Sequence, residues 1–282
     1  KFTKLILCDN CIDDEGAKAI ADELKNLSEL TELDLGRNNI DNKGVKEIVE
    51  ALKGKTKFTK LILCDNCIGD EGAEAIAKAL DNLPVLTTLI LCDNNIGVNG
   101  AKAIADALKT NTTLKELDLK NNNIGKEGAI AIVEALKTNQ KLTKLNLSSI
   151  KKSKRIFGEV IKTRIHSGVK VAKAMAEALE VNKTLKVLIF NSNNIGFEGL
   201  TAIKDALRTN TTLMQFELED QTISDAEECL MATDESEIEL LKKSNRELEA
   251  QSKAAEEEAK KKKAELEAQI QAAKEEVKKK EA

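Results

Sequence analysis

The sequence predicts an α/β fold: a solenoid of about eight stacked strand–helix units, followed by a long C-terminal helix. Two observations carry this prediction. A leucine motif recurs at 28-residue intervals through most of the chain, and each copy is followed by an amphipathic helical stretch. After residue 231 the motif stops, and runs of Glu and Lys replace it. We therefore expect a repeat array over residues 1–231 and a charged helix over 232–282.

The repeat is clearest in two identical copies, because residues 1–12 (KFTKLILCDNCI) recur unchanged at 57–68. The shared template is L-x-x-L-x-L-x-x-N-x-I, with a glycine four residues later and then a stretch such as AxAIAxAL. The L-x-L alternation places two apolar side chains on one face of a short strand. One such unit cannot bury its apolar face alone, so the units are expected to stack.

Two template positions have predicted structural tasks. The Asn in the ninth place is expected to hydrogen-bond turn backbone, so that stacked asparagines form a ladder. The glycine is expected at the start of each helix, where a Cβ would crowd the neighbouring unit. The ninth-place asparagines are Asn10, Asn38, Asn66, Asn94, Asn122 and Asn193.

The pattern resembles the ribonuclease-inhibitor-like class of leucine-rich repeats over residues 1–230. The resemblance implies a curved solenoid with a parallel sheet on its concave face and helices on its convex face. Residues 172–221 are similar to the leucine-rich domain of tropomodulins, which cap actin pointed ends. Ran GTPase-activating proteins share the repeat class but end in an acidic tail, whereas residues 232–282 hold 14 acidic and 12 basic side chains.

The outward-pointing strand residues are the candidate partner-binding surface. Ile62, Cys64, Ile90 and Cys92 belong to adjacent units and would form an apolar cluster with charged edges, which is typical of a binding site. The next unit contributes a charged pair at the same two places. The alternative is that these apolar residues only reflect recent duplication of the repeat. The candidate residues of the next unit are Asp118 and Lys120.

A basic insertion near residues 151–165 interrupts the period, because the units starting at Leu142 and Leu185 are 43 residues apart. It carries six basic residues and one acidic residue, a net charge of +5. It is interpreted as a loop that binds an acidic partner or phosphate. The alternatives are a solvated excursion and a nuclear localisation signal. The candidate binding residues are Lys151, Lys152, Lys154 and Arg155.

The tail is predicted to be helical because Glu precedes Lys by four residues at many places, the favourable order for helix-stabilising pairs. Its apolar seam is thin, and Asn245 and Ser252 interrupt it. The tail is therefore either a weak coiled coil with a helix partner or an isolated charged spacer.

Composition narrows the function classes. Aromatic residues make up 2% of the chain, without Trp or Tyr, which excludes interfaces with Tyr or Trp anchors and base-stacking platforms for nucleic acid. The net charge of −4 gives no general attraction to nucleic acid or membrane. No apolar run is long enough to span a bilayer. Five of the six cysteines recur at equivalent repeat positions, which indicates reduced thiols of a cytosolic protein.

The sequence shows no catalytic constellation, and it predicts neither a cofactor nor a metal site. The pairs Cys8/Cys11 and Cys64/Cys67 resemble zinc half-sites, but equivalent positions two units apart are too distant to share one ion. The first hypothesis is therefore a non-enzymatic interaction scaffold in the cytoplasm with a protein partner of unknown identity. Actin pointed-end capping, with a cytoskeletal location, is the second hypothesis. Regulation of a small GTPase, as in Ran GTPase-activating proteins, is the third.

Overall fold

The computed structural model describes residues 2–150, 155–156, 159–160 and 167–218. Strands and helices alternate along the chain. The strands are β1 Lys4–Ile6, β2 Glu32–Asp34, β3 Lys60–Ile62, β4 Thr88–Ile90, β5 Glu116–Asp118, β6 Lys144–Asn146, β7 Arg155–Ile156, β8 Glu159–Val160, β9 Val187–Ile189 and β10 Gln215–Glu217. The helices are α1 Asp14–Leu24, α2 Asn42–Leu52, α3 Asp70–Leu80, α4 Val98–Thr110, α5 Gly125–Leu136, α6 Ser167–Val181 and α7 Gly196–Thr209.

Eight strands form one parallel sheet in the order β1-β2-β3-β4-β5-β6-β9-β10, which confirms the predicted α/β solenoid. Each unit of strand, turn and helix is here called a coil, and coils 1 to 8 follow chain order. Strand β6 pairs directly with β9, with Leu145 opposite Leu188, so the inserted residues leave the sheet register unchanged. The two short strands β7 and β8 pair only with each other, antiparallel.

The core is a single apolar layer between the sheet and the helices. The strand leucines, such as Leu33 and Leu35, and the helix residues, such as Ile48, are fully buried. Phe58 and Phe190 occupy leucine places of the template and are also fully buried. Packed helices stand ~8–10 Å apart but strands only ~4.8 Å apart, so such an array curves towards its strands. The strand side is therefore the concave face.

The predicted asparagine ladder is present, and each buried amide joins two coils. The Asn94 side chain donates hydrogen bonds to the carbonyl of Leu63 in the preceding coil (2.8 Å) and to the carbonyl of Leu91 in its own (3.2 Å). Its Oδ1 accepts from the backbone N–H of Ile68 (3.1 Å). Every polar atom of this side chain therefore bonds turn backbone that no strand or helix serves. The same arrangement recurs at Asn38, Asn66, Asn122 and Asn193.

A second asparagine ladder, which the sequence analysis did not predict, lies where the helices end. The Asn139 side chain donates to the carbonyl of Leu108 in the preceding coil (2.7 Å). Its Oδ1 accepts from the N–H groups of Lys141 and Leu142 (2.9 and 2.8 Å), which starts the next strand. Asn182 and Asn210 repeat this arrangement in the following coils. These asparagines at the helix ends therefore tie adjacent coils together.

Helices α2 to α4 are capped by side chains of the preceding coil. Asp14 accepts from the N–H of Gly44 (3.1 Å), Asn42 from that of Gly72 (3.0 Å) and Asp70 from that of Gly100 (2.8 Å). Such bonds satisfy donors that the first helical turn leaves unpaired.

The helix-entry glycines are needed for close packing, as predicted. A Cβ added to Gly100 would lie 2.8 Å from the Cβ of Ala73, and one added to Gly128 would lie 2.8 Å from the Cβ of Ala101. Contacts below 3.0 Å are essentially not seen for real Cβ atoms. Glycine therefore permits the short approach between adjacent helices.

The ladder is interrupted in coil 6, where Ile150 takes the place of Asn and is buried. In coil 4, Val98 stands where Asp70 and Asn42 provide caps in coils 3 and 2, and its side chain has no acceptor. The N–H of Gly125 bonds instead to the carbonyl of Ile150 (3.0 Å). Gly125 there adopts a φ of +61°, whereas the equivalent Gly97 has a φ of −96°. Helix α5 therefore begins with a glycine in the left-handed backbone conformation, unlike helix α4.

The predicted boundary between residues 231 and 232, the tail helix or coiled coil over 232–282, and most of the insertion lie outside the described residues. They stay predictions.

We predict that Asn94→Ala lowers the free energy of unfolding by about 3 kcal/mol, since it leaves several buried backbone groups without partners. Urea denaturation measures this change. The matched control is Asn123→Ala, because Asn123 is exposed and is expected to change stability by less than about 0.5 kcal/mol. Equal effects of the two substitutions would show that the ladder does not stabilise the array.

We predict that Gly125→Ala destabilises the protein by about 1–2 kcal/mol, because an alanine at φ +61° brings its Cβ against its own backbone. Gly69→Ala is the control. Gly69 has a φ of −103°, and its added Cβ would meet Asn42 at 3.4 Å, an ordinary contact. Thermal unfolding of both variants checks the prediction, and similar midpoints would contradict it.

Candidate functional site

Four predicted binding residues lie together on the concave face and are called the central patch: Ile62, Cys64, Ile90 and Cys92. Ile62 stands opposite Ile90 in the paired strands β3 and β4. The cysteines follow two residues later, and the N–H of Asp65 bonds to the carbonyl of Cys92 (2.9 Å), which keeps the two turns in step. All four side chains are half-buried. Side chains of adjacent coils therefore cover one another in part, and the patch keeps some exposed apolar surface.

On its coil 2 side, the central patch borders a glycine, which has no side chain. Gly36 occupies the place of Cys64 in that coil, and a Cβ added there would lie 3.0 Å from the Cys64 Sγ. The missing side chain lets the Cys64 thiol lie against the backbone of the neighbouring coil.

The two thiols of the patch are coupled. A hydrogen bond between them lowers the pKa of Cys64 and raises the pKa of Cys92, whose burial raises it further. The five cysteines of the described residues are all free.

Four aspartates surround the central patch and are called the acidic rim: Asp34, Asp65, Asp93 and Asp118. In the sheet register, Asp34 stands opposite Ile62 on one side, and Asp118 stands opposite Ile90 on the other. Asp65 and Asp93 directly follow the two cysteines, with φ values of +54° and +57°. Asp tolerates this left-handed conformation better than most side chains. The four aspartates therefore lie along three sides of the patch, where Lys120 adjoins Cys92 and Arg37 adjoins Cys64.

The fourth side of the patch is a row of ion-paired charges. Glu32 pairs with both Lys4 (2.8 Å) and Lys60 (3.0 Å), and this double pairing lowers the pKa of Glu32. Farther along the row, Lys144 pairs with Glu116 (2.7 Å). Each of these five charged residues, three basic and two acidic, therefore takes part in an ion pair.

The acidic rim differs, because none of its aspartates takes part in an ion pair of the described residues. Asp34 accepts a hydrogen bond from the N–H of Gly36 (2.9 Å), and Asp118 accepts from the N–H of Lys120 (2.8 Å) and from the Asn146 amide (3.0 Å). Burial raises the pKa of Asp118, and these two hydrogen bonds act in the opposite direction. The rim therefore presents acidic groups held by neutral donors.

Beyond coil 5 the concave face becomes polar. A hollow of about 310 Å³ lies there. Lys120 is exposed at its border, so this predicted site residue separates the acidic rim from the polar half and does not join the central patch. The N–H of Asn191 donates to the Ser148 hydroxyl (3.1 Å). The hollow is lined by Lys120, Asn146, Ser148, Ser149, Ile189, Asn191, Ser192 and Glu217.

The predicted basic site of the insertion is not tested by the structure. Lys151, Lys152 and Lys154 lie outside the described residues, and only the backbone of Arg155, in β7, is described. Across the described residues, no three His, Cys, Asp or Glu side chains form a group that could hold a metal ion. No helix in this part of the chain is both long and apolar enough to cross a bilayer.

Comparison with known proteins agrees with this geometry. The family model described as "Leucine Rich repeat" matches six segments, at residues 1–21, 27–49, 54–77, 82–105, 110–133 and 181–204. The chain is a leucine-rich-repeat protein. The matches to this repeat omit residues 134–180. That stretch contains both the insertion and Ile150, which interrupts the ladder.

One solved structure that is similar to this leucine-rich-repeat chain is "Leiomodin-1 Actin-Binding Site 2 (ABS2)". The sequences are 26% identical, and the likeness covers 60% of this chain and 88% of that chain with a TM-score of 0.43.

We predict that Asp118→Asn changes how stability depends on pH. Because the pKa of Asp118 is raised by burial, the folded protein holds this proton more tightly than the unfolded chain does. The contribution of Asp118 to stability is therefore greatest in acid and falls as pH rises above its ordinary value of 3.8. Urea denaturation at several pH values between 3.5 and 7 measures this effect. As pH rises, the free energy of unfolding of the wild type should fall relative to that of the variant. Parallel curves would contradict this assignment.

Proposed function

We propose that this leucine-rich-repeat protein is a non-enzymatic interaction module that binds a protein partner on its concave face, centred on the central patch. The supporting observation is the half-buried apolar surface that Ile62 and Ile90 form in adjacent strands, surrounded by carboxylates that form no ion pair with any described residue. Apolar side chains of this kind on a rigid surface are typical of binding sites.

The rigidity of the concave face favours binding without aromatic anchors. Backbone hydrogen bonds and the asparagine ladder hold each turn against the next, as at Asn66, which bonds the carbonyls of both Leu35 and Leu63. A preorganised surface loses little conformational entropy when a partner docks. The affinity is therefore expected to come from contact area and from complementary charge.

The free cysteines of the array support a reducing compartment, and we propose a cytoplasmic location. The basic insertion is proposed as a second contact, through Lys151, Lys152, Lys154 and Arg155.

A second candidate function is regulation of actin pointed ends. It rests on the similarity of residues 172–221 to the leucine-rich domain of tropomodulins. These residues comprise part of α6, β9, α7 and β10, at the polar end of the concave face. Pyrene-actin elongation from the pointed ends of filaments whose barbed ends are capped tests this candidate, and unchanged pointed-end growth at saturating protein would eliminate it.

We predict that the double substitution Ile62→Glu and Ile90→Glu abolishes partner capture, because two carboxylates would replace the apolar centre and add to the acidic rim. The measurement is quantitative affinity capture with the full chain, in which proteins retained by the wild type and lost by the variant are scored. Thermal unfolding of the variant checks that the fold persists.

The control for this experiment is Lys102→Glu, an exposed charge reversal on α4, away from the sheet. It should retain the wild-type set of captured proteins. If the double variant also retains that set, the concave face is not the binding surface.

A further inference from the structure

We infer that the partner contacts the central patch through a cationic segment, in which an aliphatic side chain is flanked by Lys or Arg. This inference rests on the proposed function and specifies the chemistry of the partner. The central patch offers the apolar contact, and the acidic rim offers the charges that such a segment would neutralise.

The size of the patch sets the size of the apolar anchor. The patch spans two adjacent strands, which lie ~4.8 Å apart, and two places along each strand, a rise of ~7 Å. Cys64 and Cys92 are small, and Ile62 and Ile90 form one side of the patch. This area suits one or two aliphatic side chains and is too small for a long apolar helix face.

The spacing of the acidic rim sets the spacing of the partner's charges. Asp34, Ile62, Ile90 and Asp118 lie in one row across the adjacent strands β2 to β5. Three strand spacings put the two aspartates ~14 Å apart. In an extended peptide, residues i and i+4 are ~13 Å apart and point to the same side as residue i+2. A segment of the form Lys-x-Ile-x-Lys therefore matches the row.

The charge state of the rim selects cations over anions. Its four aspartates have no ion-pair partner in the described residues, although Lys4, Lys60 and Lys144 on the same face are all paired. A docked anionic peptide or nucleic acid would face repulsion from the rim. A docked cation would replace water around carboxylates that neutral donors already orient.

Lys120 limits the direction of the segment. This exposed lysine follows Asp118 by two residues and lies where the polar half of the concave face begins. A cationic residue beyond Asp118 would therefore meet a like charge. The cationic segment is expected to span coils 2 to 5 and to end there.

The test is an NMR titration of the full chain, labelled at its Ile methyl groups, with synthetic peptides. The probe is Gly-Lys-Ser-Ile-Ser-Lys-Gly with blocked ends. Two comparison peptides replace either both lysines by Glu or the isoleucine by Ser. We expect saturable shifts of the Ile62 and Ile90 methyls with the probe, at least tenfold weaker binding of the Ser peptide, and no saturable shift with the Glu peptide.

The rim is tested by the double substitution Asp34→Asn and Asp118→Asn, in which each asparagine retains an acceptor oxygen for the turn N–H groups. The matched control is Asp106→Asn with Asp205→Asn, which changes the net charge equally on α4 and α7. We expect at least tenfold weaker probe binding for the rim variant and wild-type binding for the control. Raising NaCl from 50 to 300 mM should weaken binding to the wild type far more than binding to the rim variant.

Equal binding of the Lys and Glu peptides, or a rim variant that binds like the wild type, would overturn the inference. Preferred binding of a 20-base-pair DNA to the same methyls would also overturn it. The proposed function fails separately, if the Ile62→Glu and Ile90→Glu variant retains its captured partners. If that capture is lost while the probe shows no cationic preference, the concave face is the binding surface but the partner is not cationic.

Discussion

The architecture depends on one constraint: every turn between strand and helix leaves backbone groups that neither element can satisfy, and these groups are buried. A side-chain amide resolves this because it carries both donors and an acceptor on one small planar group. Asn38 shows the arrangement, since its nitrogen reaches the carbonyls of Leu7 and Leu35 while its oxygen accepts from the N–H of Ile12. Each coil therefore completes the hydrogen bonds of the coil before it, and no coil is satisfied alone.

This dependence explains where the structure deviates. Ile150 removes one amide from the ladder, and Val98 removes one helix cap, at neighbouring places in coils 6 and 4. At this point Gly125 adopts a left-handed backbone conformation, and its N–H donates to the carbonyl of Ile150 in coil 6. The sheet continues through this point without a shift in register. Long excursions are thus compatible with the array as long as strand pairing is retained.

The same regularity shapes the concave face. Equivalent residues of adjacent coils lie one strand spacing apart. The residue at a given template position therefore lies directly beside its counterpart in the next coil. Ion-paired rows result where charges alternate, as at Lys4, Glu32 and Lys60. The two Ile residues of β3 and β4 form an apolar row for the same reason, with Asp34 and Asp118 on either side. The arrangement of charges on this surface therefore follows from the order of coils.

Sequence alone determined the period, the inward leucines, the crowded glycines and the grouping of Ile62 with Ile90, because a strict repeat converts sequence spacing into spatial adjacency. It did not reveal the second ladder at Asn139, the helix caps from preceding coils or the half-buried state of the central patch. Those features depend on contacts between coils, where donor and acceptor lie about 28 residues apart in the chain. The grouping of four aspartates around one apolar patch was decided by the tertiary structure, since they occupy two different template positions that only the turn geometry brings to a common edge.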